Sequence, residues 1–203
     1  MPNDALEPTI CPAAESCTLS ALHNSTPGQI AAQLVVKHQE DVQMNIRRFK
    51  TGDEAALLEI YRSAIHLIAR RDYTEEQINA WAPAQIDHEY WENRMRGINP
   101  FVSEIDGNIV GYADVQVNGY IEHFFVSGSF PRQGIGRSLM DAIECEAKAL
   151  KITELTSDVS RTAQPFFKSF GFEIIEQRSP LVRGVEVPNA LMRKIIHVRR
   201  ADA

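Results

Sequence analysis

The 203-residue sequence has little of what nucleic-acid-binding, secreted and membrane proteins are built from. Lysine and arginine number 21 against 27 aspartates and glutamates, so the basic surface that a nucleic-acid partner requires is missing. No apolar run approaches the roughly 20 residues that span a bilayer. The N-terminus also lacks the basic start and apolar stretch of a secretory signal. These absences predict a cytoplasmic protein without a nucleic-acid or membrane partner.

Cysteine is scarce as well, which limits the cellular compartment and the kinds of metal or nucleophile chemistry that we expect. Cys11, Cys17 and Cys145 are an odd number without metal-ligand spacing, as expected of a reduced cytosolic chain. The six histidines are scattered without such spacing, so no metal site is predicted. Cys145 falls inside an expected helix and is interpreted as a packing residue rather than a nucleophile.

The composition changes along the chain and predicts a domain boundary near residue 44. Residues 1 to about 24 mix Pro, Ser, Thr, Asn and Ala without periodicity, which is typical of a mobile leader. A helix-opening signal at Thr26 and Pro27 predicts a helix over 27–41. That helix is expected to pack on the domain or on a second copy of the chain, which would make a homodimer. We therefore expect an extension over 1–43, one domain over 44–197 and a tail over 198–203.

The first half of that domain predicts an antiparallel meander preceded by helices. MNIRRFK alternates as an edge strand does, and helices are expected within 51–71, after Thr74, and in a segment that Gly97 ends. The strands PFVSEI, NIVGYADVQV and YIEHFFV are separated by Asp106-Gly107 and Asn118-Gly119. Such pairs are strong hairpin signals because both central turn residues take positive φ.

The second half predicts a crossover and closing strands. A helix between the strand ending at Val126 and the strand beginning at Ile152 makes these strands a parallel pair by right-handed crossover. TAQPFFKSF predicts a short helix, and GFEIIEQRS and VPNALMRKII predict the last strands. The fold class is therefore α/β, a mostly antiparallel mixed sheet with one central parallel pair and helices on both faces. The crossover helix carries an apolar stripe of Leu139, Met140, Ile143, Ala147 and Leu150.

The stretch FPRQGIGRSLM places Gly134 and Gly136 between a strand and this crossover helix. A helix N-terminus offers unpaired N–H groups and a positive dipole end, and glycine lets a phosphate approach the backbone. The alternative is a plain strand-to-helix turn, which a lone Gly-x-Gly more often marks. The third glycine of a dinucleotide fold and the Gly-Lys-Ser/Thr ending of an ATP loop are both missing.

Three segments together resemble one family. FFVSGSFPRQGIGRSLM resembles the acetyl-CoA signature of the GNAT acyl-CoA N-acyltransferases, and SRTAQPFFKSFGF resembles their second signature. ARRDYTEEQINAWAP is similar to a YafP-like bacterial branch of acetyltransferases, and the whole resemblance covers about 44–196. It implies a GNAT fold whose parallel pair is splayed to admit acetyl-CoA. It also implies an N-acetyltransferase that acts on a primary amine of a small molecule by direct attack in a ternary complex.

Two other functions stay open at this point. One is acetylation of protein N-termini or lysines, which an open groove would favour. The other is a non-catalytic acyl-CoA-binding sensor or assembly module. Three departures from the family pattern support it: Pro131 replaces the usual Gln or Arg, Ser160 the usual Asn, and Phe167 the usual Tyr general acid.

The resemblance assigns the coenzyme to the loop and to the strand before it. Since Pro131 has no N–H, the anion contacts are expected from the backbone amides that follow it. The implied coenzyme-binding residues are Phe124, Phe125, Val126, Arg132, Gln133, Gly134, Ile135, Gly136, Arg137, Ser160, Ala163, Phe166 and Phe167.

The candidate base lies in YIEHFFV. Counted back from Val126, Tyr120 and Glu122 match the two positions where relatives place their bases, and Glu122 is expected to act directly or through water. The alternative for Glu122 is a structural ion pair with an arginine. Alternation puts His123 on the opposite face, where a hydrogen-bonded core histidine is expected and a catalytic base is the runner-up.

The acceptor pocket is expected between the early helices and the meander. Tyr73 and Trp81 could stack on an amine or equally pack a helical hairpin, and Trp91 lies nearby in the sequence. Asp114, on the strand beside Glu122, is a further candidate for acceptor binding. The Arg-Arg pairs at 70–71 and 199–200 are interpreted as solvated charge.

Overall fold

The computed structural model of the chain describes residues 44–197. The predicted leader, the helix over 27–41 and the tail over 198–203 lie outside the described residues. Within the described part, no helix is long and apolar enough to cross a membrane.

The predicted meander forms the first sheet. It consists of β1 (Met44–Arg48), β2 (Phe101–Ile105), β3 (Asn108–Ala113) and β4 (Phe124–Val126), antiparallel and in that order, with β1 at one edge. Asp106 and Gly107 join β2 to β3 with φ of 50° and 78°. This is the two-residue hairpin turn that the Asp-Gly pair predicts.

The second predicted turn has a different geometry. Gln116 N–H donates to Tyr120 O (2.9 Å) and Gly119 N–H donates to Gln116 O (2.8 Å), so the loop has three residues. Gly119 has a positive φ of 83°, whereas Asn118 does not, because in a three-residue hairpin loop the left-handed residue follows a type I turn. A Cβ on Gly119 would lie 2.1 Å from Glu154 O, so the close approach of the next sheet also requires glycine here.

Five more strands complete the β structure. They are β5 (Glu154–Ser160), β6 (Glu173–Arg178), β7 (Leu181–Val182), β8 (Val185–Glu186) and β9 (Asn189–Ile195). The second sheet is antiparallel in the order β5-β9-β6, and β7 and β8 form a separate hairpin that the sequence did not predict.

The helices follow the predicted order and differ from the prediction in two places, after α1 and at the end of α3. They are α1 (Glu54–Ser63), α2 (Glu75–Trp81), α3 (His88–Ile98), α4 (Ile135–Ala149) and α5 (Gln164–Ser169). The segment after α1 does not stay α-helical but widens into a π turn at Ala64–Ile68 and then tightens into a 3-10 turn at Ala69–Arg71. Gly97 does not end α3, because Asn99 takes the left-handed capping position with φ of 41°.

Helices cover both faces of the β structure, as predicted. The stripe on α4 is buried from Ile135 to Ala147, whereas Leu150, predicted to extend it, lies beyond the helix and is 50% exposed. On the opposite face, α1 and α3 bury Leu57, Trp91 and Met95 against the first sheet. The predicted α/β class is confirmed.

Backbone pairing joins the two sheets where the predicted parallel pair begins. Tyr120 bridges Thr156 in parallel, Ile121 N–H donates to Thr156 O (2.8 Å), and Ser157 Oγ donates to Ile121 O (2.8 Å). Past this point, no ladder among the described residues connects β4 to β5. The strands therefore diverge, and the side of β4 that faces β5 is left without a partner strand.

Candidate active site

Two cavities meet at the divergence of β4 from β5. We call them the aromatic cavity, of about 470 Å³, and the loop cavity, of about 490 Å³, which lies against the loop between β4 and α4. Their walls share Trp81, Phe124, Phe125, Ser160 and Ala163.

The loop cavity is lined by the backbone that leads into α4. Gly134 precedes α4 with a positive φ of 80°, and open space surrounds the position its Cβ would take. Ser138 N–H is the first to bond back into the helix, to Gly134 O at 3.0 Å. Within residues 44–197, the N–H groups of Arg132 and of Gly134 to Arg137 donate to no acceptor, whereas Gln133 closes a turn at 131–132. Such a run at a helix N-terminus is suited to bind an anion.

Gly136 has a different role from Gly134. A Cβ there would lie 3.1 Å and 3.2 Å from two ring atoms of Phe166. Gly136 therefore lets α5 pack closely on the start of α4, whereas Gly134 provides the left-handed backbone beside open space.

Three arginines line the loop cavity: Arg71, Arg132 and Arg137. Arg137 lies over the Phe170 ring, and Arg71 donates to Thr162 O at 3.4 Å. Arg71 is solvated as expected, with 64% of its side chain exposed and an ion pair to Asp72 at 3.0 Å, and the 3-10 turn also brings it to the segment before α5. The lining of the loop cavity is thus locally cationic, although the whole chain carries a net negative charge.

The aromatic cavity is lined by the first sheet, the early helices and the β7–β8 hairpin. Glu122 and His123 both face it, which contradicts the predicted alternation. Its eight aromatic wall residues are Tyr61, Tyr73, Trp81, Tyr90, Trp91, Phe124, Phe125 and Phe167.

A β-bulge explains why neighbouring residues share this cavity. Asp114 N–H donates to His123 O (3.0 Å), and Gln116 N–H donates to Tyr120 O, so two residues, Ile121 and Glu122, lie opposite Val115. An extra residue interrupts the two-residue alternation of a strand. Ile121 is buried in the core, while the next two side chains point into the aromatic cavity.

Asp114 holds this bulge in place. It is 0% exposed, and its Oδ1 accepts from the N–H groups of Glu122 (3.1 Å) and His123 (2.6 Å). Burial raises the pKa of its carboxyl. Asp114 lines neither cavity, so its predicted contact with the acceptor is not found; the carboxylate binds the backbone behind the candidate base instead.

Glu122 takes part in an ion pair at the cavity wall. Arg94 Nε donates to its Oε1 at 2.6 Å, a second guanidinium nitrogen contacts Oε2, and Gln116 Nε2 donates to Oε2 at 2.9 Å. The arginine pair that the sequence left as an alternative is thus present. The carboxylate is 26% exposed and is held in one orientation at the cavity surface.

His123 is a hydrogen-bonded histidine that also reaches the aromatic cavity. Its Nδ1 lies 3.0 Å from the Tyr112 hydroxyl. Tyr112 is 0% exposed and its hydroxyl hydrogen-bonds to no other described residue, so donation of its O–H to Nδ1, with the ring proton on Nε2, is the arrangement that satisfies both groups. Burial lowers the pKa of His123 to about 4, with Asp114 opposing the shift. The side chain is therefore a neutral N–H donor near pH 7, with Nε2 at 3.6 Å from Glu122 Oε1.

Tyr120 does not have the position expected of a base. Its hydroxyl donates to Asp158 Oδ2 at 3.1 Å, and it lines neither cavity. Burial, followed by the charge of Asp158, raises its pKa to about 12. The Tyr120 hydroxyl is thus bonded to β5 of the second sheet.

Tyr73 and Trp81 both line the aromatic cavity, but Tyr73 is also tied to the backbone. Its hydroxyl donates to Pro188 O (2.6 Å) and accepts from Arg161 N–H (2.9 Å). The Trp81 ring lies 5.6 Å from that of Tyr73. Phe167 is 2% exposed and stands in the place of the usual tyrosine. Because phenylalanine has no hydroxyl, this position offers no proton donor.

Replacing Tyr73 with phenylalanine is expected to lower the free energy of unfolding by about 1–3 kcal/mol, because two backbone groups would lose their partner. Tyr90→Phe is the matched control, since Tyr90 is 66% exposed and its hydroxyl bonds to no described residue. Urea unfolding of both variants measures the difference. Equal stability of the two would contradict a structural role for the Tyr73 hydroxyl.

Sequence reasoning missed three residues of the aromatic cavity and its support. Arg94 pairs with Glu122, Tyr112 fixes the His123 ring, and Arg183 reaches the cavity from the turn between β7 and β8. The short segment LVRGVEV could have indicated that hairpin, since Arg183-Gly184 separates two apolar pairs. In the part of the chain that the structure describes, no three His, Cys, Asp or Glu side chains are grouped as a metal site requires.

Known proteins resemble this chain over most of its length. A family model described as an acetyltransferase (GNAT) domain matches residues 69–187. The uncharacterized N-acetyltransferase YafP of Escherichia coli (strain K12) is 32% identical over 151 residues, which are 74% of this chain and 95% of that protein.

Solved structures share the fold. A GCN5-related N-acetyltransferase from Rhodopseudomonas palustris has a TM-score of 0.72 at 28% identity, covering 74% of this chain and 94% of that one. The PaiA N-acetyltransferase from Thermoplasma acidophilum, in complex with coenzyme A, has a TM-score of 0.56 at 18% identity, covering 75% and 99%.

Proposed function

The chain belongs to the GNAT family of acetyltransferases, and from this premise we propose that it transfers the acetyl group of acetyl-CoA to a primary amine of a small molecule, by direct attack in a ternary complex. One observation carries the proposal. The loop cavity, with its free amides, and the aromatic cavity, with its carboxylate, meet at the unpartnered side of β4.

The loop cavity would hold the donor. The amides of Arg132 to Arg137 and the nearby arginines match the charge of a pyrophosphate. Pro131 does not interrupt this run, because the amides begin after it. That a structural neighbour was solved with coenzyme A supports the same assignment.

Backbone groups of β4 would bind the thioester end. His123 O and Ser127 N–H both bond to the β3 side of the strand. Backbone groups alternate in direction along a strand, so the N–H groups of Phe124 and Val126 point into the gap toward β5. There they can donate to the oxyanion that develops when an amine attacks the thioester carbonyl.

Glu122 would accept the proton of the attacking amine, directly or through water. The amine nitrogen bonds to the acetyl carbon, the carbon–sulfur bond breaks, and CoA leaves as a thiolate that takes a proton from solvent. The neutral His123 Nε2–H would orient the carboxylate or its water as a donor. Because Phe167 has no hydroxyl, a side-chain acid at that position has no part in the proposal.

The walls of the aromatic cavity favour a small acceptor over a protein. Side chains from the early helices, from β4 and from the β7–β8 hairpin surround it on several sides, among them Trp81, Phe167 and Val182. A lysine on a folded protein would need an open groove in this place.

Calorimetric titration with acetyl-CoA, followed by an amine screen that reads released thiol, tests the proposal. We expect saturable binding and amine-dependent thiol release. A folded protein that binds no acetyl-CoA would refute the proposed donor. Binding without thiol release from any amine would favour the non-catalytic sensor.

A further inference from the structure

Arg183 brings a cation without a counter-charge to the aromatic cavity. Its Nη1 donates to Ala80 O at 2.7 Å, which directs the guanidinium toward the end of α2. Within the described residues, its Nε and Nη2 donate to no acceptor, and no carboxylate forms an ion pair with it. A planar edge with two free N–H groups is the geometry that binds a carboxylate in bidentate fashion.

The backbone at Arg183 is unusual for this residue type. Arg183 and Gly184 form the turn between β7 and β8, with φ of 48° and 82°. A left-handed conformation at the first position of such a turn is adopted at lower cost by Asn, Asp or Gly. The hairpin thus has an arginine where another residue would cost less conformational free energy, which indicates a function for the arginine side chain.

The other charged side chains of this wall are already compensated. Glu122 is paired with Arg94, and Asp158 is paired with Arg178 at 2.9 Å. The carboxylate of Asp87 accepts from Tyr90 N–H at 3.0 Å and caps the positive end of α3. Among the described residues, Arg183 is therefore the cation of this wall that has no ion pair, and an acceptor that fills the cavity can supply one.

Tyr61 links this charge to the reacting end of the cavity. Its hydroxyl donates to Trp81 O (2.8 Å), next to the carbonyl that Arg183 binds, and its ring lies 6.3 Å from the His123 ring and 5.0 Å from Phe125. About one tyrosine side chain thus separates the guanidinium from the proposed site of amine attack. The wall between them is aromatic.

From this arrangement we propose that the acceptor is an amino carboxylate, with its amine beside Glu122, its carboxylate on Arg183 and an apolar body between the two. The proposal rests on the proposed acetyl transfer and narrows its substrate class. A molecule of this kind matches the guanidinium of Arg183, the aromatic wall and the separation of the two polar ends.

Matched pairs of amines test it. The pairs are 6-aminohexanoate and 4-(aminomethyl)benzoate, each with its primary amide, so that the members of a pair differ in the carboxylate charge. We measure kcat/KM from released thiol for the unmodified protein, for Arg183→Gln, and for Arg193→Gln. Arg193 is the control because it lies outside both cavities and interacts with Glu154 on the second sheet.

We expect at least one acid to exceed its amide by about tenfold or more in kcat/KM, as a charged hydrogen bond provides. Arg183→Gln should remove the preference for the acid and change kcat/KM for the amide by less than about twofold. Arg193→Gln should keep the preference for the acid. The ratio of kcat/KM for the acid to kcat/KM for its amide is compared between variants, so any difference in amine basicity within a pair cancels.

Three results would overturn the inference. They are an equal or greater rate with the amides, an unchanged preference in Arg183→Gln, and no turnover of any pair by a protein that binds acetyl-CoA. The last result would leave the donor site standing, whereas absent acetyl-CoA binding would refute the proposed function itself.

Discussion

Replacing Gly134 with glutamate is expected to weaken acetyl-CoA binding by about a hundredfold or more. Gly134 has a φ of 80° next to open space in the loop cavity, so a glutamate there would put a carboxylate among the amides at the start of α4. That carboxylate would occupy the donors that the coenzyme phosphates need and would repel them. Hydrogen bonds to charged groups contribute about 1.5–3 kcal/mol each, so loss of one or two reaches this factor. Calorimetric titration with acetyl-CoA measures the change.

Gly107→Glu is the matched control for this substitution. Gly107 has nearly the same φ, 78°, and equally open surroundings, but it lies in the β2–β3 turn away from both cavities. The two variants should therefore lose similar stability from backbone strain, and only Gly134→Glu should lose affinity. If both variants bound acetyl-CoA like the unmodified protein, the loop could not be the phosphate site.

Glu122→Gln is expected to lower kcat by about 100- to 10,000-fold, the usual contribution of a general base. The amide keeps the shape of the side chain but cannot accept the proton of the attacking amine. The affinity for acetyl-CoA should stay the same, because Glu122 does not line the loop cavity. Steady-state thiol release, with the coenzyme titration beside it, gives both quantities.

The ion pair with Arg94 makes a second variant necessary. If Glu122 only balanced Arg94, then Arg94→Gln alone would cause a comparable loss of rate, and the double variant would recover much of it. If Glu122 is the base, Arg94→Gln should keep most of the rate and the double variant should stay as slow as Glu122→Gln. The coupling between the two substitutions thus separates the alternatives.

Elements fixed by local chemistry could be predicted from the sequence. Asp106-Gly107 forms its hairpin because both residues tolerate positive φ, and Thr74 opens α2 with a capping box that Gln77 completes. The stripe on α4 is buried as far as Ala147 because helical periodicity alone places those side chains on one face. The family motifs added the order of the elements and the position of the loop.

The detail of the site depends on contacts that no local pattern contains. The predicted face of Glu122 was wrong because the Asp114 side chain binds the amides of Glu122 and His123 from the neighbouring strand, which stabilises a bulge. His123 faces the helices as expected, with its ring against Tyr61 and Trp91. The bond from the Tyr120 hydroxyl to Asp158 is likewise a contact between distant parts of the sequence that no local pattern contains. Arg183 was overlooked because strands of two residues are too short to give a periodic signal.

The shared wall between the two cavities limits how the acceptor preference of this protein can change. Trp81, Phe124 and Phe125 belong to both cavities, so a substitution that reshapes them for a new amine also alters the surface offered to the acetyl donor. Arg183 and Tyr90 line only the aromatic cavity, and changes there leave the donor side untouched. We therefore expect that new acceptor preferences, in evolution or in the laboratory, arise first by substitution of residues such as Arg183 and Tyr90. Substitutions of Trp81, Phe124 and Phe125 should come last.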